Sequence, residues 1–230
     1  MKYLRKFATE ADASVVAKPN VVLFADTKEV VYNFAKLGVF IQHINGELFT
    51  TEQWSANGFT NEEANGVAVI ANEASFIVAK DESVNQYRYG GAGKLLSSVA
   101  TTSSAEEAGL DFDGIGNTEK MIAELAGYKD SAGIIGAPLA EGCVNFVFPN
   151  GAKGYLPSCG EMLIAAKQKS AINGALYLIG GTTIANNTYM TSTQNSANII
   201  WNIWVTTPEI SQSRKDSSAT RCRIFAPLNI

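Results

Sequence analysis

Few residues of this chain are equipped for covalent or metal chemistry. There is one histidine, His43, and there are three cysteines, Cys143, Cys159 and Cys222. A metal site needs several thiolate, imidazole or carboxylate ligands at characteristic spacing, and neither an H-E-x-x-H nor a C-x-x-C pattern occurs. His43 therefore reads as a structural or surface residue. Asp111-Phe112-Asp113-Gly114 opens like a calcium loop. The bidentate Glu of such a loop would fall at its twelfth position, which here is Ile122. These residues suit a turn before a helix instead, with acidic side chains at the positive end of its dipole. Gly90-Gly91-Ala92-Gly93-Lys94 lacks both the first Gly of a phosphate loop and a Ser or Thr after the Lys, since Leu95 follows. Cys159 sits at a predicted helix N-terminus, where a thiol pKa can fall. No His accompanies it, and no Gly-x-Ser-x-Gly elbow surrounds Ser158. The expectation is a chain that is not an enzyme, with no cofactor and no metal.

Recognition chemistry is better represented. Residues 186–218 hold Asn186, Asn187, Tyr189, Gln194, Asn195, Asn198, Trp201, Asn202, Trp204, Gln212 and Arg214. Aromatics that give rigid contact area, mixed with adaptable amides and hydroxyls, are typical of binding surfaces. Within Ile199-Ile200-Trp201-Asn202-Ile203-Trp204-Val205, strand alternation puts 199, 201, 203 and 205 on one face. Trp201 then joins the core, while Trp204 and Asn202 lie on the opposite face, which is read as exposed.

A scaffold must hold that segment. Ser158 and Glu161 have the Ser-x-x-Glu spacing of a capping box, Pro157 favours an extended approach, and Met162-Leu163-Ile164-Ala165-Ala166 continues at helical spacing. A second helix begins near Ser170, with Ile172, Leu176 and Ile179 on one face and Gly180-Gly181 as its stop. A shorter helix runs from Asn117 or Thr118 to about Leu125, with Met121, Ile122 and Leu125 inward. Strands are read at 66–70, 75–79, 144–148 and 221–225, and residues 88–116 as a long surface loop. Before them, Val21-Val22-Leu23-Phe24 and Glu29-Val30-Val31-Tyr32 flank Ala25-Asp26-Thr27-Lys28 as a hairpin. Leu37 to Ile41 and Glu47 to Thr50 flank Asn45-Gly46, a type I′ signal. Residues 1–62 thus form a small N-terminal β module, with residues 51–65 as its linker, and 63–230 form the main domain.

At 230 residues, 46% hydrophobic and 17% charged, the chain can build a substantial core. Net charge is −4, and no run of Lys or Arg is dense enough for nucleic acid or a membrane surface. No stretch approaches the roughly 20 apolar residues that span a bilayer. The basic N-terminus lacks the apolar segment of a signal peptide, so folding is expected in a cytoplasm, with free thiols rather than a disulfide. No nucleic-acid partner and no membrane insertion are expected.

The ordered motifs carry a resemblance. They are Gly-Tyr-Leu-Pro-Ser-x-Gly-Glu (154–161), Ile172-Asn173-x-Ala175-Leu176, Ile179-Gly180-Gly181-Thr182, Tyr189-x-Thr191-Ser192-Thr193-Gln194-x-Ser196, Trp201 and Arg223-x-Phe225. Together with 66–70, 75–79 and Asp111 to Glu119, they resemble the C-type-lectin-like domains of Bacteroides phage and gut-bacterial proteins. That group includes targets of diversity-generating retroelements and is similar to the major tropism determinant of phage tail fibres. Residues 3–10 also look like the start of Bacteroides-phage virion proteins. The resemblance implies an α+β fold of two helices on antiparallel strands, and a virion location after assembly in the host cytoplasm. It implies a head or tail fibre or tip that binds a host-surface glycan or protein, attached to other virion proteins through the N-terminal module as a homotrimer. The alternative is a capsid-decorating or collar protein with no host ligand. The positions it marks for ligand binding are Asn195, Asn198, Asn202, Trp204, Glu209, Ser211 and Ser213. It also marks Ile199, which strand alternation assigns to the Trp201 face. Met190 stands where family members usually carry Trp. The Glu-Pro-Asn, Gln-Pro-Asp and Trp-Asn-Asp signatures of calcium-dependent sugar binders are absent, so the resemblance implies the fold without calcium-mediated sugar binding.

Overall fold

The computed structural model describes residues 4–6, 21–24, 29–33, 37–82, 87–217 and 221–228. The chain divides into two compact units, 1–38 and 39–229. In the first unit, strands β1 (Leu4–Lys6), β2 (Val21–Phe24) and β3 (Glu29–Asn33) form an antiparallel sheet in the order β1-β3-β2. The expected hairpin is present, with Val22 opposite Val31 and Phe24 opposite Glu29. Its turn, 25–28, lies outside the described residues.

The boundary at residue 62 is corrected. Strand β4 (Gly38–His43) and strand β5 (Leu48–Phe49) pair across the expected Asn45-Gly46 turn, where Gly46 has φ +93°. They belong to a five-stranded sheet of the second unit, with β6 (Ala64–Ile70), β7 (Ser75–Val78) and β11 (Phe225–Pro227), in the order β11-β7-β6-β4-β5. The supposed linker is helix α1 (Thr51–Asn57), whose cap Thr50 accepts from the Gln53 N–H while the Gln53 side chain accepts from the Thr50 N–H. Trp54 is 2% exposed and packs edge-on against Phe49 and at a tilt against Phe59, which is why this segment docks rather than links.

Helix α2 (Ala105–Ala108) interrupts the region read as surface loop. That region is irregular but not superficial, since Tyr89, Leu96 and Val99 are buried. Helix α3 (Gly114–Leu125) starts earlier than expected, because the Asp113 carboxylate caps it by accepting from the Gly116 N–H. The strand expected at 144–148 is corrected as well. Helix α4 (Pro138–Asn145) takes in Val144, and only a bridge between Val147 and Lys153 remains of the pairing. Pro138 in its first turn is the start signal. The expected turn at 149–151 is present, with Gly151 at φ +86°.

Helix α5 (Cys159–Lys167) carries the capping box read from the sequence, Ser158 with Glu161. Helix α6 (Lys169–Leu178) follows, with Ile172, Leu176 and Ile179 fully buried and Gly180 at φ +68° closing it. Strands β8 (Thr188–Gln194), β9 (Ile199–Trp204) and β10 (Glu209–Arg214) then form an antiparallel meander in the order β10-β9-β8. The architecture is therefore α+β with antiparallel sheets.

Two cores fill the second unit. One gathers Val67, Val69, Phe76, Val78, Met162, Leu176, Tyr189, Trp201, Ile203 and Phe225. The other gathers Ile77, Tyr89, Leu96, Met121, Leu125, Cys143, Phe148, Met190, Ile200 and Ile224. Alternate residues of β8 and β9 thus enter different cores, so these strands are buried on both faces.

Candidate functional site

The meander brings together five of the seven residues marked for recognition. Asn202 lies opposite Met190 on β8 and Ser211 on β10, and Trp204 lies opposite Thr188 and Glu209. Ile200 lies opposite Ser213. Directly opposed residues of antiparallel strands project to the same side. Asn202, Trp204, Glu209, Ser211 and Ser213 therefore share one face. Asn195 and Asn198 do not join them. They sit in the β8–β9 turn, roughly 20 Å from Trp204 at the rise of an extended strand. The Asn195 N–H donates to the Ile199 carbonyl at 2.9 Å, and the Asn198 carbonyl accepts from the Lys215 N–H at 2.9 Å.

The shared face is not uniformly open. Trp201 is buried at 3% exposure as expected, and Trp204 is 44% exposed. Asn202 is corrected, being 1% exposed rather than on an open surface. Its neighbours on the same face, Ile200 and Met190, belong to the second core, which covers the sheet up to this point. The Asn202 Nδ2 donates to Ser213 Oγ, while its Oδ1 has no protein partner. Beyond Asn202 the covering ends, and Trp204, Glu209 and Ser211 meet solvent. Tyr189 and Gln194, counted with the recognition segment by composition, are fully buried, and Ile199 is half-buried.

A polar network with no sequence signal anchors the far end of β10. Lys215 is fully buried, and its Nζ donates to the Lys94 carbonyl at 2.8 Å and to Gln194 Oε1 at 2.9 Å. Burial pushes its pKa down to about 8. Gln194 Nε2 in turn donates to Thr101 Oγ1 at 2.6 Å. Next to Lys215, Arg214 and Asp216 form an exposed two-point ion pair, with nitrogen–oxygen distances of 2.8 and 2.7 Å. These contacts fix the outer strand at the end away from Trp204.

Residues weighed for chemistry have structural work. The His43 ring stands 5.0 Å from that of Phe59, and its Nδ1 accepts from the Asn45 N–H. Cys159 is corrected from a possible low-pKa thiol, because burial, and secondarily the negative charge of Asp111, push it up to about 12. Gly90 packs against backbone, since a Cβ there would come within 2.4 Å of the Gly136 carbonyl oxygen. Asp111 joins four parts of the fold. Its carboxylate accepts from Asn117 Nδ2 at 2.8 Å, Thr193 Oγ1 at 2.5 Å and the Asp113 N–H at 3.0 Å. Its carbonyl accepts from Ser158 Oγ at 2.7 Å and the Gly160 N–H at 2.9 Å. Among the described residues, no group of three or more His, Cys, Asp or Glu side chains could hold a metal ion. No helix among them is long and apolar enough to cross a membrane.

A separate cleft of about 280 Å³ is lined by Ile115, Thr118, Glu119, Val144, Tyr155 and Pro227, among others. Thr118 Oγ1 and the Tyr155 hydroxyl already donate to Gly114 and Glu161, so the cleft's interior offers few polar groups to orient a ligand. No family model matches the chain, and no curated protein or solved structure matches it.

Proposed function

We propose that this chain is a phage virion appendage protein, a head or tail fibre or tip. In this reading the second unit is a C-type-lectin-like domain that presents the Trp204 face of the β9–β10 ribbon to a host-surface glycan or protein. The observation that carries the reading is Trp204 itself. It is 44% exposed on a strand whose residues Ile200 to Ile203 are all buried, and it stands opposite Glu209, with Ser211 further along the same face of β10. A large aromatic left in water beside a carboxylate and a hydroxyl gives up burial that the neighbouring positions obtain, as binding anchors do. The strands beneath it are clamped between two cores, which supplies the rigidity a recognition surface needs. The ordered motifs from Gly154 to Phe225 support the same assignment.

Purified protein should bind host cells, and Trp204→Ala should weaken that binding about thirtyfold, the equivalent of roughly 2 kcal/mol for an anchor residue. Its thermal stability should change by no more than about 0.5 kcal/mol, as for other exposed positions. Unchanged binding in both Trp204→Ala and Glu209→Ala would remove this face from recognition, and a natural protein that binds no host cells would leave the capsid-decorating or collar reading.

The first unit would join the protein to other virion proteins and to its own copies, with assembly in the host cytoplasm. Its three short strands can bury little surface alone, and burial between protomers would compensate. The full chain is expected to sediment as a homotrimer at micromolar concentration; a monomer there removes the trimer from the proposal.

A further inference from the structure

Two thiols from distant parts of the sequence meet in the second core. Cys143, near the end of α4, and Cys222, shortly before β11, bring their sulfurs to 3.5 Å across 79 positions of chain. They are 2% and 4% exposed. Cys159, in the other core, is buried without such a partner and serves as an internal reference. We infer that Cys143 and Cys222 are an oxidation site that closes to an intramolecular disulfide when the protein meets a small peroxide. This contradicts the expectation of three permanently free thiols, and it does not depend on the proposed function.

The step balances with hydrogen peroxide as the two-electron oxidant. One sulfur attacks a peroxide oxygen, becomes a sulfenic acid and releases water. The second thiol then attacks that sulfur, the S–S bond forms, and the hydroxyl leaves with the remaining thiol proton as a second water. Both electrons end on the peroxide oxygens. The sulfurs must approach by about 1.5 Å to reach bonding distance. The surroundings allow this, because Cys143 lies in the last turn of its helix and Cys222 lies in a stretch with no regular secondary structure. The hydrogen bond between the thiols and their burial hold Cys143 well above the ordinary thiol range, which disfavours the thiolate. Oxidation should therefore be slow and selective for small oxidants.

The bond would fasten a segment that links the two sheets. The Met190 N–H of β8 donates to the Arg221 carbonyl, the Ala79 N–H donates to the Ile224 carbonyl, and Tyr155 exchanges hydrogen bonds with Phe225. Tying Cys222 to α4 clamps this segment from a third side.

The test compares the full chain after hydrogen peroxide treatment with the same protein kept in dithiothreitol. Expected are the loss of two hydrogens in intact mass and a cross-linked peptide joining Cys143 to Cys222. Cys159 should remain the single cysteine alkylated after denaturation. Closing a loop of this length should also raise the melting temperature by about 10 °C. Cys159→Ala should retain the cross-link and leave no alkylatable cysteine after treatment, and Cys143→Ala or Cys222→Ala should lose the cross-link. Three alkylatable cysteines after treatment of folded protein, a bond to Cys159, oxygen addition without a cross-link, or identical melting temperatures would each overturn the inference. Because the decisive mass is read on the natural sequence, a variant that fails to fold does not blunt the test.

Discussion

Asp111→Ala is expected to lower the stability of the second unit by about 4 kcal/mol, since it strands two buried donors at roughly 1–3 kcal/mol each and removes charge-assisted bonds. Asn117 and Thr193, at 1% and 0% exposure, each lose a carboxylate acceptor. The damage spreads because Asn117 also accepts from the Ala100 N–H, and Thr193 Oγ1 also accepts from the Cys159 N–H at the start of α5. One side chain thus sets the spacing of α3, α5 and β8. Asp111→Asn should fall between wild type and Asp111→Ala, because its amide oxygen can still accept from Asn117 and Thr193, which share Oδ2, while the negative charge is lost and its NH2 faces the Asp113 N–H. Chemical denaturation of the three proteins measures the series. A loss below about 1 kcal/mol for Asp111→Ala would mean that the loop is held by backbone contacts alone, such as the Gly160 N–H to the Asp111 carbonyl.

The second large effect concerns pH and lies in the capping box. Burial raises the Glu161 carboxyl to about 7, against hydrogen bonds from Ser158 and Tyr155 that lower it. The geometry is consistent with a proton there. The Ser158 hydroxyl has one hydrogen but faces two acceptors, the Asp111 carbonyl at 2.7 Å and Glu161 Oε2 at 3.0 Å. If Glu161 is protonated, it donates to Ser158 Oγ, whose own hydrogen goes to Asp111. A carboxyl whose folded pKa exceeds its unfolded value stabilises the fold below the unfolded value, and the contribution is lost as pH rises through the folded value. The window here runs from about 4.5 to about 7. From pH 5 to pH 8 the wild type should lose on the order of 2–3 kcal/mol relative to Glu161→Gln, whose amide does not titrate. Glu161→Gln should be the less stable protein at pH 5, since its amide reproduces the bonding only in part, and should draw level or ahead at pH 8. A stability difference that stays constant across this range would show that Glu161 titrates as an ordinary carboxylate.

These two residues also show what the sequence disclosed. The Ser158-x-x-Glu161 spacing identified a helix start, because a capping box is local and its partners lie three positions apart. The same grammar in Thr50-x-x-Gln53 marks α1, in a segment whose polar residues and Gly58 otherwise resemble a linker. Burial of the Ser158 box could not be read, since it depends on Asp111, which is 47 positions away. Asp111 was legible as a turn residue before a helix, but its contact with Thr193 crosses 82 positions. Trp201 and Trp204 were assigned correctly by alternation. Asn202 was not, because alternation distinguishes two faces without saying whether both are covered. Lys215 defeats composition outright, as a lysine at the end of a charged strand reads as solvated. The second-core residues Tyr89, Leu96 and Val99 were hidden for a similar reason, lying in a stretch whose Gly and Ser content suggested surface.

The double burial of β8 and β9 has a thermodynamic consequence for the second unit. Tyr189, Trp201 and Ile203 complete one core, while Met190 and Ile200 complete the other from the reverse of the same two strands. Loss of either core removes the backing of the strands that close its neighbour. Neither can melt while the other persists, so the two are expected to unfold in a single transition.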